Sequence, residues 1–275
     1  MRRRDRVAAI VERELWTLLR SRVALALAIG FFGIIVGLGG VSMGAPGGYV
    51  SLTYDLLLPV EVLVPTLAFA YAYQSVRGDD ERGELAVIRT YDVSRLEYVA
   101  GVFVGRAAVL LVVVLTSLGA AGVVASVGAN QPVAFFATHS AGDTPLVYAR
   151  FAVFAALYAL VAAALAVAVS AATRTSRQAL AASVGVLLAV AVALDLAVVT
   201  LVSANVVDAA SIAVFTGLSP ASAFRGLVLE VAIQPALAVS PSVATASPLV
   251  SGVGLLGWLA ASVTVATVAI WPESA

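Results

Sequence analysis

Three ionisable side chains stand within or at the edge of long apolar runs: Glu61, Arg150 and Asp195. A charge at membrane depth is costly, so such residues pair with one another or mark ion and substrate pathways. Glu61 lies between Pro59 and Pro65, Asp195 sits about two helical turns from the end of its run, and Arg150 opens another run on the same side. The three are expected to meet. Two readings stay open, a polar lining of a cavity and a structural ion pair, and Glu61 could also simply reach the interface. Pro59 and Pro65 should kink or loosen the helix that carries them. Enzyme chemistry finds little support. The chain has no Cys, a single histidine (His139) outside the apolar runs, and Met43 as its one methionine beyond Met1. Disulfides, thiolate metal sites and cysteine nucleophiles are excluded within this chain, and no cluster suits a soft metal ion. Neither Gly-x-Ser-x-Gly nor His-Glu-x-x-His occurs.

The elements that must position these residues follow from composition. Hydrophobic residues make up 61% of the 275 and charged residues 12%, with a mean hydropathy of +1.03. Soluble domains carry about 25% charged residues, so lipid must solvate much of this chain. The fold class is all-α, a polytopic membrane protein. Six runs are long enough to cross about 30 Å of hydrocarbon: Val23–Gly44, Leu56–Val76, Tyr98–Val127, Ala149–Ala172, Ala179–Ser203 and Leu249–Trp271. They lack the alternation of barrel strands and are expected to be helices. Segment 1–22 forms one unit and 23–275 the six-helix unit.

All sixteen basic residues are arginine. Seven lie in 1–22, four (Arg77, Arg82, Arg89, Arg95) follow the second run, and Arg174 and Arg177 follow the fourth. With six spans these segments share a side, and only Arg150 and Arg225 fall on the other. That bias places the N-terminus, and with it the C-terminus, in the cytoplasm of a cell with this chain in its plasma membrane. Clusters flanking apolar spans do not point to nucleic acid. A cleaved signal peptide fits poorly, because charge persists to Arg22 and the run after it is too long. Val7, Ile10, Val11, Leu15, Leu18 and Leu19 recur at helical spacing, with Arg6, Arg13 and Arg20 off that stripe. An amphipathic helix lying along the cytoplasmic leaflet is expected. Segment 204–248 is apolar yet not a span. It contains a short helix over 221–233, in either a cap or a re-entrant hairpin.

The segment 77–97 carries the most local information. Asp79, Asp80 and Glu81 favour a helix start, and a helix of about ten residues should end near Thr90, with Leu85 and Ile88 on one face. Ser94 and Glu97 have the spacing of a capping box, with Val93 and Tyr98 as its hydrophobic staple. A rigid helix–turn–helix beneath the membrane could pass force to a soluble partner, although an ordinary connecting loop would look similar. Arg106, early in the third span, should snorkel to the interface or pair with Glu97.

These residues resemble the permease subunits of ABC-2 type ABC transporters. The matching positions are Glu81, Gly83 and Leu85, then Val93-Ser94-Arg95-Leu96-Glu97-Tyr98, then Gly101 and Arg106. Asp92 stands where that group usually has proline, and Arg106 where it usually has lysine. Within the group the chain is similar to permeases associated with nitrous-oxide-reductase maturation. The resemblance implies an exporter permease that works as a homodimer or heterodimer with an ABC ATPase subunit. Glu81, Gly83, Leu85, Ile88, Ser94, Arg95 and Glu97 would form the ATPase-coupling loop. The chain has no G-x-x-x-x-G-K-[ST] phosphate loop, so ATP and magnesium would be held by the ATPase and no cofactor by this chain. Two other functions compete. An ion-coupled secondary transporter would centre on Asp195, and a membrane-embedded enzyme would need a nucleophile and base at membrane depth.

Overall fold

The computed structural model describes residues 3–42, 48–91, 93–128, 144–204, 217–237 and 246–270. No strand occurs among the described residues, and six helices are long and apolar enough to cross a membrane. The elements are α1 (Arg3–Leu19), α2 (Arg22–Val41), α3 (Gly48–Ala72), α4 (Arg77–Glu81), α5 (Glu84–Arg89), α6 (Arg95–Gly128), α7 (Pro145–Ala172), α8 (Ser176–Leu188), α9 (Leu194–Ser203), α10 (Pro220–Leu227) and α11 (Pro248–Ala269). A π-helical turn, Ala189–Ala193, joins α8 to α9 in one span. The expected spans are all present, and α3 begins earlier than its apolar run, at Gly48.

The spans are not equivalent. In α3 and α7, 61% of the apolar window is buried, against 22% in α2 and α11 and 11% in the fifth span. Helix α7 is therefore the axis of the core, contacted by α3, α6 and α11. Its small-residue run from Val161 to Ala168, all Ala and Val except Leu165, lets neighbours approach closely. Helices α2 and α8–α9 keep most of their side chains on the outside, as lipid-facing or partner-facing helices do.

Helix α1 departs from the expected arrangement. Its buried stripe is Ile10, Glu14 and Leu18, and Arg6 and Arg13 turn inward with it as half-buried side chains. The reason lies on α6. A Cβ on Gly101 would stand 2.6 Å from the Ile10 Cγ2, and one on Gly105 would stand 2.5 Å from the Glu14 Cβ. This small-xxx-small pair lets α1 lie directly on α6. Trp16 and Leu19 stay half exposed on the remaining apolar face.

The α10 segment extends as a π-helical stretch, Val228–Ile233, and a 3-10 turn, Gln234–Ala236. Ser219 caps it by accepting from the Ser222 N–H, and Pro220 occupies the first turn. Its apolar face packs inward: Phe224 stacks on Tyr158 with ring centroids 4.8 Å apart. Tyr158 lies about 20 Å along α7 from Pro145. Trp258, about 15 Å along α11 from Pro248, donates its indole N–H to the Leu218 carbonyl at 2.8 Å. The start of α10 thus sits well inside the helix bundle, and the described segment runs from there to Val231, whose carbonyl accepts from Arg150 near the start of α7.

Candidate functional site

Two clusters of charge stand at different depths. The first lies at the arginine-rich end and organises α4 and α5. The expected ten-residue helix is broken in two at Gly83, whose φ of 74° is left-handed and suits glycine. The pieces are held by the ends of other helices. The Ser170 hydroxyl, near the end of α7, accepts from the Val76 and Arg77 N–H groups at 3.1 and 3.2 Å, which caps α4. Arg77 donates to the Thr173 carbonyl at 3.2 Å and pairs with Asp80. Glu81, itself exposed, accepts from the Ser176 N–H at 2.6 Å and from its hydroxyl. That bond ties α4 to the start of α8.

Asp79 is the hub on the inner side. It is buried, accepts from the Tyr98 hydroxyl at 2.5 Å, and pairs with Arg82 at 2.6 Å and with Arg13. Arg13 also reaches Glu84 at 3.2 Å and Glu14 at 2.6 Å. Burial works against the Arg13 charge, but Asp79 and Glu14 outweigh it and hold the guanidinium charged above its ordinary range. Arg82 is likewise raised, chiefly by its bond to Glu84. The capping box forms as the spacing predicts: the Ser94 N–H donates to the Glu97 carboxylate at 2.9 Å, and the Glu97 N–H to the Ser94 hydroxyl at 3.2 Å. Arg95 is the first residue of α6.

Two expectations at this end need correction. Arg106 does not pair with Glu97. It bonds Glu14 at 2.6 Å and caps the free Tyr71 carbonyl at the end of α3 at 2.7 Å. Glu97 is taken by Arg6 at 2.9 Å and Arg3 at 3.3 Å. The Leu85 and Ile88 face turns inward rather than toward a partner, with Leu85 only 3% exposed and Ile88 packed against the core. The open face of this segment is instead Val87, 57% exposed, and Tyr91, 69% exposed, one helical turn apart. Asp92 lies outside the described residues.

The second cluster lies at membrane depth. Glu61 and Asp195 do come together, but not around Arg150. The cation between them is Arg225 of α10 and not, as its place outside the six apolar runs suggests, an outer-loop charge. Its Nε donates to Glu61 at 3.1 Å, its Nη2 also pairs with Glu61, and the same Nη2 reaches Asp195 at 3.2 Å. Ser222, one turn earlier, donates its hydroxyl to Asp195 at 2.7 Å. Arg150 is directed instead to the Val231 carbonyl at 3.2 Å, in a π-helical stretch. The signal that could have found Arg225 is the lone charge in the apolar stretch 220–229. His139 and Met43 lie outside the described residues, and no group of metal-binding side chains occurs among the described ones.

Two charge-linked layers, one clamping the loops at the arginine-rich end and one joining three helices at depth, suit a membrane subunit that moves. The sequence decides the family: it matches the profile described as ABC-2 family transporter protein over residues 8–270. The chain belongs to the ABC-2 transporter family. Two relatives are each described as probable ABC transporter permease protein NosY. The protein from Stutzerimonas stutzeri is 31% identical over 122 residues, 42% of this chain and 44% of the relative. The protein from Pseudomonas aeruginosa (strain PAO1) is 30% identical over 120 residues, again 42% and 44%. Each match spans under half the length of the relative. This ABC-2 chain is thus a multi-pass membrane subunit of an ABC transporter.

Proposed function

We propose that this chain is an exporter permease, moving its cargo on the strength of ATP hydrolysed by a separate ABC ATPase. The α4–α5 segment is its docking surface. The observation that carries this reading is the pair Val87 and Tyr91. Two large apolar side chains stand exposed on a short segment that is otherwise clamped to α1, α6, α7 and α8. An exposed apolar patch on an anchored element marks a partner surface. Fixed ends let a push on that patch reach the spans instead of bending a loop. The arginine bias toward this end supports placing it in the cytoplasm, with the chain in the cell membrane. Two copies facing one another across α2 and α8–α9, whose side chains are mostly exposed in one copy, would complete the transporter.

The test is purification of the tagged protein from its own membranes in mild detergent, with mass spectrometry and an ATPase assay. An ATPase recovered with the wild type and lost with Val87→Glu plus Tyr91→Glu supports the proposal. Equal recovery with both proteins overturns this docking surface, and no ATPase with either overturns the permease reading.

A further inference from the structure

We infer that the cavity beside Asp195 is a binding site for a small organic cation with an apolar body. The cavity holds about 300 Å³ between α9 and α10 and is lined by Asp195, Val198, Val199, Val202, Ser222 and Arg225. It extends to Ser203, at the end of α9, about 12 Å of helix rise from Asp195. Three features define what it takes.

The first is charge. Two carboxylates share one guanidinium, so the cluster carries a net charge of −1 when all three are ionised. Glu61 receives Arg225 through both Nε and Nη2, whereas Asp195 receives one Arg225 contact at 3.2 Å and the neutral Ser222 hydroxyl at 2.7 Å. The surplus negative charge therefore belongs to Asp195, on the cavity side. A surplus charge at membrane depth is costly until a counter-charge meets it.

The second is the wall. No described side chain of α9 is fully buried. Its half-buried positions Asp195, Val198 and Val202 follow helical spacing, as a core-facing stripe does; Asp195 bonds α10 through Ser222 and Arg225, and Val198 and Val202 line the cavity. Three valines beside one carboxylate match an ammonium carried on an apolar frame, and do not match a hydrated metal ion. The third is accessibility. Arg225 is 40% exposed and Asp195 21%, whereas Glu61 is 5% exposed, so a ligand meets Asp195 without displacing the Glu61 pair.

The inference rests on the permease reading only in making this ligand a cargo. Binding is measured without nucleotide or ATPase, so its failure leaves docking at Val87 and Tyr91 untouched. The probe is tritiated benzyltriethylammonium, added to the full chain in lipid nanodiscs. Saturable binding is expected, weakened at least about tenfold by Asp195→Asn through loss of the charge partner. Val198→Phe, which keeps every charge and fills the cavity, should weaken it similarly, and Val87→Glu at the opposite end should leave it unchanged. Unfolding temperatures of the same samples identify a variant that has lost its fold, and Val198→Phe then decides. No saturable binding by the wild type, binding indifferent to both cavity variants, or a preference for benzenesulfonate would each overturn the inference.

Discussion

The Tyr158 hydroxyl stands in for the N–H that Pro65 lacks. In a regular helix the residue at 65 would donate to the Glu61 carbonyl. Proline has no donor, and Tyr158 of α7 supplies one to that carbonyl at 3.1 Å. The backbone that carries the Glu61 carboxylate is thereby satisfied from the neighbouring helix. Tyr158→Phe should lower stability by about 1–2 kcal/mol by orphaning a buried carbonyl. In a Pro65→Ala background the same change should cost much less, because the helix then supplies its own donor. Thermal unfolding of the four proteins in one detergent measures the coupling, and equal losses in both backgrounds would sink the idea.

The membrane-depth cluster should respond to charge balance more than to the identity of any one residue. Arg225→Ala leaves Glu61 and Asp195 without their cation and should destabilise by about 3–5 kcal/mol. Adding Glu61→Gln and Asp195→Asn to that variant should restore most of the loss. An unfolding series across these variants checks the sign, and a triple variant as unstable as Arg225→Ala would refute it.

At the other end, burial separates two kinds of substitution. Leu85→Glu forces a charge into the core and should unfold or trap the chain. Val87→Glu and Tyr91→Glu lie on the surface and should change stability by less than about 0.5 kcal/mol, while abolishing ATPase recovery. Gel-filtration profiles of the three variants distinguish them. A well-folded Leu85→Glu protein would contradict the inward orientation of that side chain.

The seat of α1 on α6 can be tested by filling it. Gly105→Val places methyl groups where the Glu14 side chain now lies and should lift α1 from α6, breaking the Glu14–Arg106 pair. Trypsin cleavage after Arg20 and Arg22 should then accelerate. Unchanged cleavage would show that α1 is held by its ion pairs alone.

What could be read in the residues alone was the local part. The six spans are legible because lipid demands long apolar runs. The Ser94–Glu97 box is legible because both partners lie three residues apart in one segment. Glu61 and Asp195 were recognisable as charges in apolar surroundings. Their cation was not, because Arg225 lies 164 residues from Glu61 in the chain, and the segment around it is too short and interrupted to read as membrane-deep. The periodicity pairs Leu85 with Ile88, as the fold does, but a stripe has no sign saying whether it meets its own chain or another. Glu14 is illegible for the converse reason. Within an arginine-rich helix its sequence context is that of a solvated side chain, and only the approach of Gly105 makes it an interior group.

Helix α7 is regular from Pro145 to Ala172, whereas α3 carries two prolines within one continuous helix and the fifth span contains a π-helical turn. Ser170 and Tyr158 are therefore fixed points on one stiff rod, about 18 Å apart. The rod grips the α4 backbone at its lower point and, at its upper one, both the Glu61 backbone and the ring of Phe224, the neighbour of Arg225. Shifting α4 along the rod's axis must carry the upper grip with it or tear the Ser170 cap. The molecule has in effect a drive shaft at its centre, coupling the clamp at the arginine-rich end to the charges at membrane depth.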